Sequence, residues 1–393
     1  MENNINEMRY RDLPPDEKRE RLKEIFKVFI KLGVTAFGGP AAHTAMMDEE
    51  VVKKRKWLSR EKFMDLIGAT NLIPGPNSTE LAIHLGFDRG GLAGLFIAGI
   101  SFILPAMVIV LFFAWMYVSF GSLPELTGAL YGIKAVIMAI ILQALYRLGK
   151  SVIKGWLAAA FAVVVVGLSL YGVKEIPLLL MAGIAMLVIR NSGLVKGKLF
   201  SLWYMPLASI TAAIPKPQGN MEVSGIFLTF LKIGSVLYGS GYVLIAFLRS
   251  EFVDNFGVIT SQQLLDAVAV GQFTPGPVFT TATFVGYLIQ GIPGAIAGTI
   301  GIFLPSFLLV WLLNPVIPKL RSSKVFSAIL DGVNIASMGL MASVTIKLGM
   351  ESIVDPLTIV LFAASFAVLM KTKLNSAWLI LAGGLIGYAA QLI

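Results

Sequence analysis

Two copies of one short motif carry the backbone groups that this chain could use for chemistry. Pro74-Gly75-Pro76 returns 201 positions later as Pro275-Gly276-Pro277, each time inside an apolar stretch, and Asn77 and Ser78 follow the first copy. Proline removes a backbone donor and glycine relaxes φ, so the motif leaves amides and carbonyls that lipid cannot satisfy. We therefore expect these groups to face protein or a watery cavity, where amides and hydroxyls could bind a small anion.

Two further breaks precede these motifs at equivalent positions. The first is Gly38-Gly39-Pro40, and the second is centred on Gly239. A half-helix that starts after a break points its N-terminus, equivalent to roughly +0.5 charge, at the site. Four converging N-termini would supply about +2 and suit a dianion. The alternative is that the breaks are structural kinks that bind no ligand.

Three lysines in apolar segments are further candidates for anion binding. Lys31 and Lys232 are equivalent in the two halves, and Lys134 lies in the apolar run 126–146. A lysine within the membrane is costly and usually faces a cavity or a partner. Lys31 and Lys232 could instead form structural ion pairs with the equivalent Asp65 and Asp266, and Lys31 could extend to the membrane surface.

Four titratable residues are candidates for coupling transport to an ion gradient: His43, Asp65, Glu80 and Asp266. Histidine titrates near physiological pH, although His43 could simply make a hydrogen bond at a helix end. The chain has two histidines and no cysteine. We therefore expect no metal site, and the sequence predicts no cofactor.

The composition predicts the kind of element that must position these residues. The chain of 393 residues is 56% hydrophobic and 14% charged, well outside the averages for soluble domains. Long apolar runs predict an all-α polytopic membrane protein with about 9–10 spans plus half-membrane hairpins, and a β-barrel would show short alternating segments. Basic residues cluster in short loops, which indicates orientation in a bilayer and not nucleic-acid binding.

The positive charges predict that the two halves have opposite orientations. Residues 53–62 hold six Lys and Arg residues, whereas the equivalent 254–263 hold none. The next pair of loops reverses this pattern, because 119–125 has no basic residue and 319–325 has three. By the positive-inside rule, we expect two repeats of inverted topology. Together with the broken, re-entrant helices, this is the architecture of secondary transporters.

This arrangement predicts four parts of the chain. Residues 1–24 form a cytoplasmic surface segment, 25–190 the first transmembrane repeat, 191–224 a linker and 225–393 the second repeat. Each repeat crosses the bilayer an even number of times. The linker must therefore cross once, and its candidate segment is 199–214.

The motifs together resemble the chromate ion transporter (CHR) family in its two-domain, long-chain form. They are Phe37-Gly38-Gly39-Pro40, His43, the acidic pair Glu49-Glu50, Trp57-Leu58, the first Pro-Gly-Pro and the glycine-rich run to Pro105. The resemblance implies a multi-pass carrier of the inner (plasma) membrane. Such a carrier exports chromate, a tetrahedral dianion like sulfate, confers chromate resistance and is not an enzyme. The second repeat has Tyr238-Gly239-Ser240-Gly241 instead of the first motif, so the site is expected to be asymmetric.

Other functions stay open at this point. The chain could be a carrier or channel for another small anion such as sulfate, and only a carrier can be driven uphill by protons. It could also be an intramembrane enzyme acting on lipid phosphates. That enzyme would need a nucleophile with an acid and a base, but the sequence offers no paired histidines in its membrane segments. The sequence does not decide the coupling ion or whether the protein forms a homodimer.

Overall fold

The computed structural model describes residues 10–121, 123–190, 221–239, 241–317, 320, 323–372 and 374–391, and side chains at 124–126 are not included. Within these ranges the chain is helical and contains no strand. The crossing predicted at 199–214 lies outside the described residues, as does most of the linker.

The first repeat contains seven helices. They are α1 (Pro15–Thr35), α2 (Gly39–Met47), α3 (Arg60–Thr70), α4 (Asn77–Phe120), α5 (Pro124–Val152), α6 (Trp156–Leu170) and α7 (Glu175–Arg190). A π-helical turn, Asp48–Lys54, extends α2. Helix α1 continues without a break through the boundary predicted between residues 24 and 25.

The second repeat has the same elements in the same order. They are α8 (Val223–Val236), α9 (Leu244–Leu248), α10 (Ser261–Phe273), α11 (Thr281–Leu313), α12 (Lys324–Ser352), α13 (Pro356–Lys371) and α14 (Ser376–Gln391). Short 3₁₀ turns precede α9 and α11, and a π-helical turn, Arg249–Asn255, extends α9 as in the first repeat. The predicted all-α architecture of two inverted repeats with broken helices is confirmed.

Glycines explain the sharp reversal inside α4 and α11. Gly91 has φ +58° and Gly291 has φ +59°, a left-handed conformation that glycine adopts at no steric cost. Each helix therefore folds into two antiparallel limbs. A Cβ added to Gly86 would overlap the backbone of Gly94 on the facing limb, and the second repeat shows the same conflict. These glycines thus permit the close packing of the two limbs.

Among the described residues, four helical segments are long and apolar enough to cross a membrane: Asn77–Phe120, Thr127–Val152, Val278–Leu313 and Lys324–Ser352. Several others are shorter. Helix α6, for example, has 15 residues, about 22 Å at 1.5 Å per residue. How many of the shorter helices cross the bilayer stays a prediction.

The repeats are intertwined through their last two helices. Helices α6 and α7 pack on α12 of the other repeat, while α13 and α14 pack on α5. Near the centre, α4 and α11 pack on each other. The face that holds residues 53–62 is called the basic face below. Helix α5 ends on this face and α12 begins there, where Arg190 pairs with Asp331.

Candidate functional site

Each Pro-Gly-Pro motif makes a hydrogen bond to the first break of the other repeat. The Gly75 N–H donates to the carbonyl of Leu237 at 2.8 Å, and the Gly276 N–H donates to the carbonyl of Ala36 at 2.9 Å. Ala36 and Leu237 follow the last residues of α1 and α8. These symmetric bonds bring all four breaks together and satisfy amides that lipid could not.

A cavity of about 320 Å³ lies where the four breaks meet. Its lining includes the first residues of the helical segments that follow the breaks. The lining residues are Pro40, Asn71, Pro76, Asn77, Ser78, Leu148, Ser151, Val152, Gly239, Gly241, Pro277, Val278, Phe279 and Asn334. None of these described residues carries a charge. The lining is therefore uncharged, with amide and hydroxyl side chains among apolar groups and helix N-termini around it.

This arrangement suits an anion that binds through hydrogen bonds. A water molecule takes about 30 Å³ of liquid volume, so the cavity can hold a small oxyanion with part of its hydration shell. Helix N-termini favour negative charge, and the amides and hydroxyls of the lining can donate to its oxygens. Asn77 already donates to the side chain of Asn71 at 2.9 Å, which places two amide groups at one edge.

Some of the glycines and prolines that were predicted to bind the substrate line the cavity, and others lie outside its lining. Pro40, Pro76, Gly239 and Pro277 line it together with Asn77 and Ser78. Gly38 and Gly39 form the first break, with φ +106° and +76°. The lining does not include Pro74, Gly75, Pro275 or Gly276. These residues lie in the two segments whose hydrogen bonds join the repeats.

The two equivalent lysines form ion pairs instead of lining the cavity. Lys31 donates to Glu50 at 2.8 Å, and Lys232 donates to Glu251 at 2.5 Å. The hydrogen bond from Lys31, together with Arg55 and against the opposing effect of burial, lowers the pKa of the Glu50 carboxyl to about 2. The Glu50 carboxyl is therefore ionised at neutral pH. The alternative of structural ion pairs thus describes the geometry, with glutamates as partners.

Lys134 also lies outside the cavity, on the side away from the basic face. Its ammonium is 3.4 Å from Asp266 and donates to Gln262 at 2.9 Å. The Tyr117 hydroxyl donates to Asp266 at 3.0 Å. Lys134 and Tyr117 belong to the first repeat and Asp266 to the second, so this group of side chains joins the repeats.

The coupling candidates differ in environment. Glu80 is fully buried, accepts from the Ser306 hydroxyl at 3.3 Å, and its second oxygen has no hydrogen-bond partner among the described residues. His43 is buried with one ring nitrogen 3.0 Å from the Ala36 carbonyl. Asp65 is exposed, whereas Asp266 is buried and paired with Lys134. Glu80 alone among these acids is buried without a cation beside it in the described part of the chain.

The sequence did not lead us to the polar lining residues Asn71, Ser151 and Asn334, nor to the other lining residues Leu148, Val152, Gly241, Val278 and Phe279. Asn71 comes three residues before the first Pro-Gly-Pro, so proximity to the break could have identified it. Ser151 and Asn334 lie on the long helices α5 and α12. Their approach to the breaks depends on tertiary packing, and no local pattern signals it.

Comparison with known proteins agrees with this architecture. The profile of the family described as "Chromate transporter" matches residues 23–189 and 224–388, once in each repeat. A chromate transport protein of Cupriavidus metallidurans is 33% identical over 94% of this chain and 93% of its own length. One of Pseudomonas aeruginosa is 32% identical over 93% and 91%. No solved structure matches the chain.

A relative from Synechococcus elongatus, described as a probable chromate transport protein, is 32% identical over 85% of this chain and 86% of its own length. The family profile matches both repeats, and the relatives align over most of the chain. The similarity therefore includes all four breaks that surround the cavity. The chain belongs to the chromate transporter family.

Proposed function

We propose that this protein is a secondary active transporter that exports chromate across the inner membrane and so confers chromate resistance. The observation that carries the proposal is the uncharged cavity formed where four helix breaks converge. In secondary transporters, broken helices at the interface of inverted repeats bind the substrate, with half-helix N-termini pointing at anionic groups. Membership of the chromate transporter family supports chromate as that substrate.

The charge of the bound dianion is balanced in this proposal by backbone groups. Four helix N-termini together supply about +2. The lysines predicted to contribute are held in ion pairs with carboxylates. A site built from amides and hydroxyls binds the anion without a fixed cation that would retain it, which suits a carrier that must also release its substrate.

Glu80 is the group that we propose for coupling to protons. A charged carboxylate buried without a cation costs several kcal/mol, so Glu80 carries a proton in this conformation. It contacts Ser306 of the other repeat, and a Cβ added to Gly75 would overlap its carboxyl group. Loss of its proton would therefore place a charge beside the crossing of the two repeats.

Sulfate is the second candidate substrate, because it shares the tetrahedral shape and double charge of chromate. The neutral lining contains no side chain that distinguishes one of these anions by charge. The proposal therefore fixes the class, a tetrahedral dianion, and the experiment distinguishes its members.

Transport by purified protein in liposomes tests the proposal. Uptake of chromate, sulfate, molybdate and phosphate is compared under an imposed pH gradient and without one. We expect gradient-driven accumulation of chromate, which a channel cannot produce. If the uptake of each anion is the same with and without the pH gradient, the proposal of a proton-coupled carrier is contradicted. Accumulation of sulfate alone would identify sulfate, and not chromate, as the substrate.

A matched pair of variants tests the site. Ser78 and Ser101 are both in α4 and both 3% exposed, but only Ser78 lines the cavity. A hydrogen bond to a charged group contributes about 1.5–3 kcal/mol, so Ser78→Val should weaken chromate binding by roughly tenfold or more. Ser101→Val should leave the Kd unchanged. Equal Kd values for both variants in isothermal titration would contradict this site.

A further inference from the structure

Equivalent positions in the two repeats have different environments on the two sides of the breaks. On the basic face, Ser151 of α5 and Asn334 of α12 line the cavity. Their equivalents, 200 positions away in sequence, are Glu351 and Lys134. The inverted arrangement places these equivalents on the opposite face, where both side chains form ion pairs.

These ion pairs close the opposite face. Lys134 pairs with Asp266 at 3.4 Å, and Arg249 pairs with Glu351 at 2.8 Å. Asp266 is only 2% exposed and Arg249 only 7%. By contrast Asp65, the equivalent of Asp266, is exposed. The two equivalent carboxylates thus differ in exposure, and the buried one, Asp266, lies in an ion pair with Lys134.

Two tyrosines donate hydrogen bonds to side chains of α10. Tyr117 donates to Asp266 at 3.0 Å, and Tyr242 donates to Gln272 at 3.3 Å. Gln272 is equivalent to Asn71, which lines the cavity, and Tyr242 is equivalent to the exposed Ala41. Lys134 and Glu351 thus have the uncharged counterparts Asn334 and Ser151, and Tyr242 and Gln272 have the smaller counterparts Ala41 and Asn71.

We propose that Lys134–Asp266 and Arg249–Glu351, with Tyr117, form the gate on the opposite face of the transport cavity. The structure is then the state open to the basic face. Transport to the other side requires these two ion pairs to separate, while the basic face closes through the neutral Ser151 and Asn334. This inference rests on the proposed function, because a gate presupposes a substrate that passes it.

The gate has a chemical consequence for direction. An anion that enters from the basic face reaches a cavity whose described lining residues are all uncharged, whereas the opened gate presents two cations and two carboxylates. The separated Lys134 and Arg249 attract the bound anion, and they pair with Asp266 and Glu351 again once it has left. The separated ion pairs therefore draw a bound anion from the cavity towards the opposite face.

Single cysteines can test the gate, since the chain contains none. Val152 lines the cavity, and its equivalent Ser352 is 7% exposed beside Glu351. The rates at which Val152→Cys and Ser352→Cys react with a maleimide are measured on purified protein in nanodiscs, where both faces are accessible. In the parent background we expect Val152→Cys to react fast and Ser352→Cys slowly.

Loss of the ion pair should shift these rates in opposite directions. With Lys134→Gln or Asp266→Asn, we expect Ser352→Cys to react roughly tenfold faster, which corresponds to about 1.4 kcal/mol lost from the closed gate. Val152→Cys should slow. The reversed pair, Lys134→Asp with Asp266→Lys, should restore the parental rates. Arg190→Gln, which removes an ion pair at the basic face, is the matched control and should change neither rate.

Unchanged rates in both gate variants would overturn the proposal, as would an equal shift in the Arg190→Gln control. A variant that fails to fold would raise both rates together, and failure of the reversed pair to restore them would also count against a gate. The labelling does not need a substrate. A shift in rates without chromate transport would therefore reject the proposed function alone, and transport without the shift would reject the gate alone.

Discussion

Glycine is required at positions 75 and 276 for two reasons, the backbone conformation and the lack of space for a side chain. Both have positive φ, +136° and +88°, where a side chain is strained. Both also lack room: a Cβ on Gly276 would lie 2.7 Å from that of Ala106, and one on Gly75 would overlap the Glu80 carboxyl. Their N–H groups make the bonds that join the repeats. The conformation and the space therefore both require glycine, and the hydrogen bond excludes proline.

Gly276→Ala should therefore reduce both stability and transport. The strain of the left-handed conformation costs roughly 1–2 kcal/mol, and the conflict with Ala106 adds to it. Gly155→Ala is the matched control, because Gly155 has φ +102° and nothing within 4 Å of an added Cβ. Thermal unfolding of the purified variants should show a larger fall in Tm for Gly276→Ala. Equal falls would mean that backbone strain explains the whole effect.

A second prediction at this scale concerns Glu80. Glu80→Gln keeps the size and the contact with Ser306 but cannot release a proton. We expect it to bind chromate as the parent does and to lose accumulation driven by a pH gradient in liposomes. His84→Gln, one helical turn away and also buried, should keep the gradient response. The reverse result would assign proton transfer to the histidine.

At the level of the helices, the contacts where helices of the two repeats cross depend on small residues. Gly132 of α5 lies against the backbone of Gly383 and Gly387 in α14, and Gly332 of α12 lies against Ala182 and Gly183 in α7. Without a hydrophobic driving force between helices in lipid, such close backbone contact stabilises their association. These two equivalent crossings hold the last helices of each repeat on the long helix of the other.

The variant Gly132→Ala should separate α5 from α14, since its Cβ would overlap the Gly383 carbonyl. The control lies in the same helix: Gly149→Ala would place its Cβ 3.7 Å from Met338, an ordinary contact. Alanine is favoured over glycine in a helix by about 1 kcal/mol. We therefore expect Gly149→Ala to preserve or raise the Tm and Gly132→Ala to lower it. A stable Gly132→Ala protein would show that the crossing can relax.

The sequence predicted the breaks and the repeat because both are local or periodic signals. Proline and glycine interrupt a helix wherever they occur, and an offset of about 200 residues can be read directly. Asp65 was the predicted partner of Lys31, yet Lys31 is bonded to Glu50. The same offset of 201 pairs Glu50 with Glu251, the partner of Lys232, so the repeat contained a signal for this pair that was not used. Lys134 and Asp266 meet only through packing between repeats.

At the scale of the whole molecule, the inversion of the repeats produces a site that is symmetric in backbone and asymmetric in side chains. The two crossing hydrogen bonds, Gly75 to Leu237 and Gly276 to Ala36, are nearly identical. Glu80 and His43 occur in the first repeat alone, and the ion pairs of the gate lie on one face. A symmetric frame can rock between two equivalent states, while asymmetric side chains give the two states different chemistry.

The orientation of this frame in the membrane is the last prediction. By the positive-inside rule the basic face is cytoplasmic, so Glu61→Cys and Lys154→Cys should be protected from an impermeant maleimide in intact cells. Leu123→Cys should react, because α4 ends on the other face.

Tyr171→Cys tests the short helix α6, whose 15 residues span about 22 Å. Tyr171 is 90% exposed and should react from outside if α6 crosses a locally thinned bilayer. Labelling of Glu61→Cys without permeabilisation would contradict the orientation, and protection of Tyr171→Cys alone would show that α6 and α7 form a hairpin that enters and leaves on the cytoplasmic side.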